Sequence, residues 1–209
     1  DFVKDVVKND RAVYGINTGF GRFAEVRVSN SELEELQENI IRSHACGVGE
    51  ILSRSLTMGM WINRLNVFAR GHSGIRESTV NEITSHLNAG FMAKIPSRGS
   101  VGASGDLCPS SHAVLAYIGE GPCTYLRDGK IVDARAPEAF DYLKKKPIKL
   151  GPKEGLALIN GTQVSTALAL RGLFCAERLF SAAVVAGSMS VEALKGSFVP
   201  FDPRIQAVR

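Results

Sequence analysis

The sequence predicts a mainly α-helical fold that includes a small β-hairpin and an ordered, glycine-rich loop region. Several segments place apolar residues three or four positions apart, the spacing that gives a helix one apolar face. One Asp-Gly pair lies between two short runs of β-forming residues, which is typical of a hairpin. The chain of 209 residues is long enough to bury a substantial apolar core.

The start of the chain predicts a short helix and then a loop. Residues 1–10 mix polar and apolar side chains in a pattern typical of the end of a helix. Three glycines fall within seven residues at Gly15, Gly19 and Gly21, a density that no regular element accommodates well. We therefore expect an ordered loop over residues 14–21.

The next predicted element is an amphipathic helix with a recognisable start and stop. Ser31 and Glu34 stand in the spacing of a capping box, in which each side chain bonds the other residue's backbone N–H. The apolar spacing that follows predicts a helix to about Ala45, ended by Gly47.

Three further helices are predicted in the middle of the chain. One runs from about residue 53 to residue 70 with Gly71 as its stop, and another follows Arg76. A stretch dense in glycine and serine, residues 96–109, separates them from a short apolar helix over residues 112–118.

The second half predicts the hairpin and one long helix. Residues 124–126 and 130–132 flank the turn at 127–129, where Asp-Gly favours a tight connection. From about residue 162 to residue 195 the sequence is helix-compatible and apolar on most sides, with Gly187 as a candidate break. Such a helix belongs at the centre of a bundle or in a subunit interface.

Composition excludes several classes of function. The formal charge of +4 is modest, and the run 144–146 of lysines has no interleaved aromatic residues, so no nucleic-acid site is predicted. No apolar stretch reaches membrane-spanning length and no signal-peptide pattern opens the chain, which predicts a cytoplasmic protein that does not bind a membrane. Four widely spaced cysteines predict reduced thiols and no metal site; they are Cys46, Cys108, Cys123 and Cys175. Because the chain opens at Asp1 without an initiator Met, we expect a piece of a longer protein.

Residues 99–107 form the most informative segment, because glycines flank a triplet of the smallest side chains. The simplest interpretation is a tight loop ahead of a helix. A phosphate-binding loop is disfavoured because no Gly-Lys-Ser/Thr ending follows and the glycine spacing does not match a dinucleotide fingerprint.

A third interpretation of this segment is chemical. If a compressed turn presses the Gly105 nitrogen onto the Ala103 carbonyl carbon, the backbone can cyclise, and dehydration then converts Ser104 into an exocyclic alkene. Only small residues permit that approach, and a glycine nitrogen is the least hindered backbone nucleophile. The product is 4-methylidene-imidazole-5-one, an electrophile made from the chain itself.

Several blocks resemble the aromatic amino-acid ammonia-lyase and aminomutase family, in the family's order and over essentially the whole chain. The segment 102–107 resembles the family signature, in which the Ala-Ser-Gly triplet forms the methylidene-imidazolone. The other similar blocks are 14–21, 42–44, 71–74 and 158–163. The resemblance implies a helical bundle of the ammonia-lyase type, no external cofactor, and a chain in which residues 1–209 are the prosthetic-group-bearing N-terminal region.

The resemblance also implies a substrate. Ser43 and His44 are similar to the family's histidine branch, and a polar imidazole substrate needs a hydrogen-bonding partner in a closed pocket. We therefore expect elimination of ammonia from L-histidine to give trans-urocanate. A phenylalanine or tyrosine ammonia-lyase, an aminomutase and an inactive fragment remain the alternatives.

The resemblance implies a role for each candidate residue. Tyr14 matches the base that removes the β-proton, Ser43 and His44 bind substrate, Asn160 lies against the prosthetic group, and Asp106 assists cyclisation. An electrophile is required because acid-base catalysis alone contributes only about 10²–10⁴-fold.

Residue-level alternatives accompany three of these roles. Tyr14 could be a core tyrosine, and His44 could cap the end of its helix. Asn160 could form a turn ahead of a helix capped by Thr162.

Two departures from the family pattern qualify the resemblance. Cys108 stands where the family more often has alanine, which predicts tuning of the helix behind the triplet. The family's later contributions to the pocket, including the arginine that binds the substrate carboxylate, lie beyond Arg209. The family's sites draw on several subunits, so a homotetramer is expected.

Overall fold

Helices predominate in the computed structural model, which describes residues 2–9 and 11–208. This confirms the predicted mainly α class. The α-helices are α1 (Phe2–Lys8), α2 (Leu33–His44), α3 (Arg54–Ala69), α4 (Glu77–Asn88), α5 (Leu107–Tyr117), α6 (Ala136–Leu143), α7 (Glu154–Ile159), α8 (Gln163–Ala193) and α9 (Pro203–Ala207). Short 3-10 turns occupy Gly21–Phe23, Asn30–Glu32 and Val199–Phe201.

Among the residues that the structure describes, five short strands form two small antiparallel sheets. The strands are β1 (Val48–Ile51), β2 (Met92–Ala93), β3 (Pro96–Arg98), β4 (Pro122–Arg127) and β5 (Lys130–Arg135). β1 pairs with β3, while β2, β4 and β5 form a three-stranded sheet in that order. Asp128 and Gly129 both have positive φ, 51° and 75°, as a tight hairpin turn requires, so the predicted hairpin is confirmed.

The start of α2 differs from the prediction. Its capping box was predicted at Ser31 and Glu34, but a 3-10 turn precedes the helix and Ser29 donates its hydroxyl to Glu32 Oε2 at 2.5 Å. The predicted box is therefore wrong, because the extra turn moves the Ser-Glu pairing two residues earlier. The helix ends at His44, close to the predicted Ala45.

Two helix boundaries in the second half also differ. The helix predicted over residues 112–118 begins five residues earlier, at Leu107. Pro109 is compatible with this start because the first turn of a helix needs no N–H donor there. α8 continues through Gly187 without a break, since one glycine costs only about 1 kcal/mol in a helix that long.

The core lies where α3, α4 and α5 pack against the three-stranded sheet and α6. Trp61 and Tyr117 have ring centroids 4.8 Å apart, and Phe91 stacks on Phe140 at 4.8 Å. These large aromatic side chains are all buried and supply much of the apolar area that stabilises the fold. The core holds the helices that carry the candidate site at fixed positions.

A buried carboxylate joins the start of α4 to the start of α7. Glu154 is 1% exposed and accepts hydrogen bonds from Arg76 Nη2 at 2.6 Å, Gly151 N at 2.7 Å and Thr79 Oγ1 at 3.0 Å. Burial raises the pKa of Glu154, but the hydrogen bonds from Arg76 and from the Gly151 backbone outweigh it and hold the pKa below its ordinary value. The carboxylate therefore stays charged and fastens two helices together.

The chain divides into two compact units, residues 1–168 and residues 169–209. All predicted site residues lie in the first. The second contains most of α8 together with α9, and many of its large apolar side chains are exposed, including Leu173, Phe174, Leu179, Phe180, Val184 and Met189. None of the helices formed by the described residues is long and apolar enough to cross a membrane.

Candidate functional site

The triplet predicted to cyclise lies on an exposed loop between β3 and α5. Ala103 and Ser104 are exposed to solvent, and Gly102 and Gly105 on either side have φ of +69° and +97°. Both glycines occupy the left-handed region, which a side chain disfavours. The loop therefore presents Ser104 at the crest of a turn that depends on glycine.

Asp106 closes this loop. Its carboxylate is 1% exposed, and Oδ1 accepts a hydrogen bond from Ser100 Oγ at 2.9 Å. Ser100 and Asp106 thereby tie together the two ends of the segment that contains the triplet. The closure shortens the span available to residues 101–105.

The same carboxylate caps the start of α8. Ser165, in the first turn of that helix, donates its backbone N–H to Asp106 Oδ2 at 2.7 Å and its hydroxyl to Oδ1 at 2.6 Å. A negative side chain at a helix N-terminus satisfies an otherwise unpaired donor and interacts favourably with the helix dipole. Asp106 thus connects the loop to a long helix.

Gly105 packs directly on the backbone of Gly161. Asp106 N donates to Gly161 O at 2.6 Å, and a Cβ built on Gly105 would lie 2.5 Å from that oxygen. No side chain fits at such a distance, so position 105 requires glycine for space as well as for conformation. This contact brings the triplet against the segment that follows α7.

Asn160 precedes that glycine and has an exposed side chain. The alternative role, a turn ahead of a capped helix, is partly realised: Thr162 O accepts from Thr166 N at 2.8 Å, while Asp106 supplies the side-chain acceptor. Asn160 therefore leads into the start of α8, and the next residue, Gly161, contacts the triplet; the role of the Asn160 side chain stays a prediction.

The backbone oxygen of Asn160 is held by a buried arginine. Arg64, in α3 and 1% exposed, donates from Nη1 to Asn160 O at 2.7 Å and from Nη2 to Ser110 Oγ at 3.3 Å. Burial lowers the pKa of Arg64 to about 10, opposed by the negative charge of Asp106. The guanidinium therefore remains charged at neutral pH inside the protein.

Ser43 and His44 form the last turn of α2. His44 Nδ1 lies 2.9 Å from Ile40 O and 3.0 Å from Ser43 Oγ, and Ser43 Oγ donates to Ile40 O at 3.0 Å. A carbonyl can only accept, so we assign the imidazole proton to Nδ1. His44 Nδ1 therefore bonds a carbonyl one turn back within α2, and the assigned tautomer leaves Nε2 as an acceptor. The helix-capping alternative stays a prediction, because Ile40 O is not one of the unpaired carbonyls at the helix end.

Two glycines let the end of α2 approach the base of the triplet loop. A Cβ on Gly99 would lie 3.0 Å from Gly47 Cα and 2.5 Å from Cys108 Sγ. Gly47 N donates to His112 Nε2 at 2.9 Å, and burial lowers the pKa of His112, which keeps that nitrogen able to accept. Cys108, which stands where the family more often has alanine, thus fills the space beside both glycines.

Tyr14 lies on the glycine-rich loop after α1 and is 52% exposed, so the core-tyrosine alternative is wrong. Its hydroxyl accepts from Gly21 N at 3.4 Å, and its ring meets Phe20 edge-on with centroids 6.3 Å apart. A Cβ on Gly15 would lie 2.8 Å from Leu156 Cδ2, so this loop packs on α7. The residue next to Tyr14 in the sequence, Gly15, therefore contacts α7, the helix that precedes Asn160.

The structure brings some predicted residues into contact and links others indirectly. Gly105 and Asp106 touch Gly161, the residue after Asn160, directly. His44 connects to the triplet loop through Gly47 and Gly99, and Tyr14 connects to α7 through Gly15. Each predicted role stays a prediction.

Three residues that position the site were missed in the sequence. Ser100 and Ser165 gave no signal, because serines are common in loops and first turns. Arg64 did leave one: it continues the buried face of Met60 and Phe68 at helical spacing, where a charged residue is unusual.

Comparisons with known proteins agree with the resemblance in the motifs. The profile of the aromatic amino acid lyase family matches residues 1–209. A histidine ammonia-lyase of Aliivibrio fischeri (strain MJ11) is 49% identical over 209 residues, which are 100% of this chain and 40% of that relative.

Solved structures match as well. A crystal structure of histidine ammonia-lyase from Trypanosoma cruzi superposes with a TM-score of 0.89 at 41% identity, covering 100% of this chain and 40% of the other. Phenylalanine aminomutase from Pantoea agglomerans gives the same TM-score of 0.89 at 29% identity, covering 99% and 39%. The chain therefore spans about 40% of the length of the relatives it matches. With its full length matched by one profile, the chain belongs to the aromatic amino acid lyase family.

Proposed function

We propose that this chain is the prosthetic-group-bearing part of a histidine ammonia-lyase, which eliminates ammonia from L-histidine to give trans-urocanate. The observation that carries the proposal is the loop tied between Ser100 and Asp106, with Ser104 exposed at its crest and Gly105 pressed on Gly161. The histidine substrate is supported by the sequence identity to histidine ammonia-lyases and by His44.

The residues present fit a methylidene-imidazolone made from the triplet. The Gly105 nitrogen would bond the Ala103 carbonyl carbon, whose oxygen leaves as one water, and Ser104 would lose its hydroxyl as a second. Gly105 has no side chain to obstruct this bond, and its φ of +97° is held by the contact with Gly161. When formed, the group supplies the electrophile that activates the substrate's amino group for departure.

In this proposal, the chain's own residues move the proton and hold the substrate. Tyr14 takes the β-proton at its phenolic oxygen, which lies on an exposed loop that substrate can reach. His44 accepts a hydrogen bond from the substrate imidazole at Nε2, since its Nδ1 is occupied by Ile40 O. Asn160 orients the substrate amine or the imidazolone carbonyl, and Ser43 supports His44.

A homotetramer is also proposed. The second unit exposes many large apolar side chains, an extent that marks an interaction surface in a stable protein. In the proposed assembly, each active site would be built from residues of more than one subunit.

Mass spectrometry of the peptide spanning residues 96–117 tests the proposal. We expect it to weigh two water molecules less than its sequence demands. Ser104→Ala should restore the full mass of the peptide and abolish the elimination of ammonia. Product analysis, with histidine and phenylalanine offered separately, accompanies it. An unmodified triplet in active protein would contradict the mechanism.

A phenylalanine or tyrosine lyase, or an aminomutase, is the second candidate. The equal TM-score to the Pantoea aminomutase favours keeping it, because this fold does not separate the two chemistries. Formation of cinnamate or of a β-amino acid, in place of urocanate, would establish it.

A further inference from the structure

Arg64 is a buried cation without a direct anionic partner among the described residues. It is 1% exposed, and its hydrogen bonds go to the carbonyl oxygens of Ala157 at 3.3 Å and Asn160 at 2.7 Å and to the Ser110 hydroxyl at 3.3 Å. Its Nε has no hydrogen-bond partner in the part of the chain that the structure describes. A buried charge whose hydrogen bonds go to neutral groups is costly, even with the charge of Asp106 nearby, so packing alone does not account for an arginine at this position.

The two carbonyls belong to the end of α7. The last carbonyls of a helix lack intrahelical partners and carry its negative dipole end, so a cation there is favourable. Because one nitrogen binds both Ala157 O and Asn160 O, Arg64 fixes where the chain leaves α7. The position of the next peptide group, at Gly161, is thereby fixed relative to α3.

A short series of contacts leads from Arg64 to the triplet. A Cβ on Gly161 would lie 3.0 Å from Arg64 Nη1, and the oxygen of Gly161 accepts from Asp106 N at 2.6 Å. Gly105 packs on that same peptide. Arg64 therefore holds the oxygen of Asn160, and the Asp106 backbone holds the oxygen of the next residue, Gly161.

We propose that Arg64 is a positioning residue for ring closure: by fixing the peptide after α7, it provides the rigid surface against which Gly105 is pressed toward Ala103. The inference rests on the proposed function, because it presupposes that the triplet cyclises. A purely structural Arg64 would fasten α3 to α7 and would affect stability alone.

The test compares three variants of the longest natural polypeptide that carries this sequence. Arg64→Met removes the charge while keeping an unbranched chain, and Arg64→Lys keeps the charge but loses the planar fork that reaches Asn160 and Ser110 together. Arg54→Met is the matched control, because Arg54 lies in the same helix and also donates to a carbonyl and a hydroxyl, those of Gly90 and Thr124. Its partners lie in the sheet region, away from the loop.

The readouts are the mass of the triplet peptide over time after synthesis and the melting temperature. We expect Arg64→Met to accumulate the dehydrated triplet roughly tenfold more slowly or worse, Arg64→Lys to be intermediate, and Arg54→Met to match the wild type even where its melting temperature falls. A dehydration rate that falls only in the Arg64 variants, while the melting temperature also falls in Arg54→Met, distinguishes a positioning role from a general effect on stability.

Each outcome decides. Dehydration at the wild-type rate in folded Arg64→Met overturns the inference while leaving the proposed function intact. If Arg64→Met does not fold, Arg64→Lys decides: slow dehydration supports the inference, and the wild-type rate overturns it. An unmodified triplet in the wild type defeats the proposed function, and the inference with it.

Discussion

Asp106 and Glu154 are both 1% exposed, yet they organise their surroundings differently. Glu154 binds a guanidinium directly, with Arg76 Nη2 at 2.6 Å, and joins two helices of the scaffold. Within the part of the chain that the structure describes, the donors to Asp106 are hydroxyl and backbone N–H groups, two of them on Ser165. The nearby cation, Arg64, interacts with Asp106 through charge, without a direct bond among those residues.

The difference separates a scaffold contact from a site contact. The ion pair of Glu154 can stabilise the fold without controlling the triplet loop, because the donors to Glu154, on Arg76, Thr79 and Gly151, lie outside that loop. Hydrogen bonds from Ser100 and Ser165 instead fix the direction of the Asp106 carboxylate and so the shape of the loop. We expect variants at Glu154 to change stability and variants around Asp106 to change chemistry.

The largest effect is expected for Gly105→Ala. The new Cβ would meet Gly161 O at 2.5 Å, and alanine disfavours the φ of +97°, so the turn must open. We expect no dehydrated triplet and a fall in elimination of roughly 10³-fold or more, because acid-base catalysis alone remains. Peptide mass and initial rate measure this.

Gly129→Ala is its matched control. Gly129 also has positive φ, +75°, but nothing lies within 4 Å of a Cβ there. The substitution should cost only about 1 kcal/mol of backbone strain and leave the triplet dehydrated. An equal loss of dehydration in both variants would show that strain anywhere, rather than crowding at Gly161, is responsible.

Asp106→Asn should have the next largest effect on chemistry. The amide keeps the shape of the side chain but turns an NH₂ group toward donors such as Ser100 and Ser165. We expect dehydration to slow about 10–100-fold, measured from the peptide mass with time. Wild-type dehydration in this variant would remove the contrast with Glu154.

Glu154→Gln should destabilise the fold without changing the triplet. It removes the charge that binds Arg76 and leaves Gly151 N and Thr79 Oγ1 with a poorer acceptor. We expect a loss of about 2–4 kcal/mol in the free energy of unfolding, measured in urea, with full dehydration. Loss of dehydration in folded Glu154→Gln would contradict the division of roles.

The same variant should change the acid limb of stability. Burial raises the pKa of Glu154, but the hydrogen bonds from Arg76 and the backbone lower it by more, so the folded value lies below the ordinary 4.5. The resulting stability is present above the unfolded pKa and is lost as pH falls through the folded pKa. Unfolding free energy measured from pH 6 downward should therefore decline less steeply below about 4.5 in Glu154→Gln than in the wild type.

Helices and the hairpin were readable from sequence because their signals are local. Periodicity predicted α3 within a residue of its observed ends, and Asp128-Gly129 predicted the turn. Helix starts were less predictable, as at Ser29 and Leu107, because tertiary contacts choose among several competent capping residues.

The candidate site divides in the same way. The triplet and its glycines form one continuous string, so the sequence alone marked them. The partners that shape them are distant along the chain. Gly161 and Ser165 meet the loop, and Arg64 meets Asn160, only after α3, α7 and α8 have packed. No local pattern in a single sequence encodes those meetings.

The crowding among Gly47, Gly99 and Cys108 has an evolutionary consequence. The thiol occupies the volume that a methyl group on either glycine would need. The combined side-chain volume at these three positions should therefore stay nearly constant. A natural variant with a larger residue at one position should have a smaller residue at another, or a wider separation of α2 from the loop. A change at position 108 would then be inherited as part of a set, and the same mutation moved alone into another background would carry a different cost.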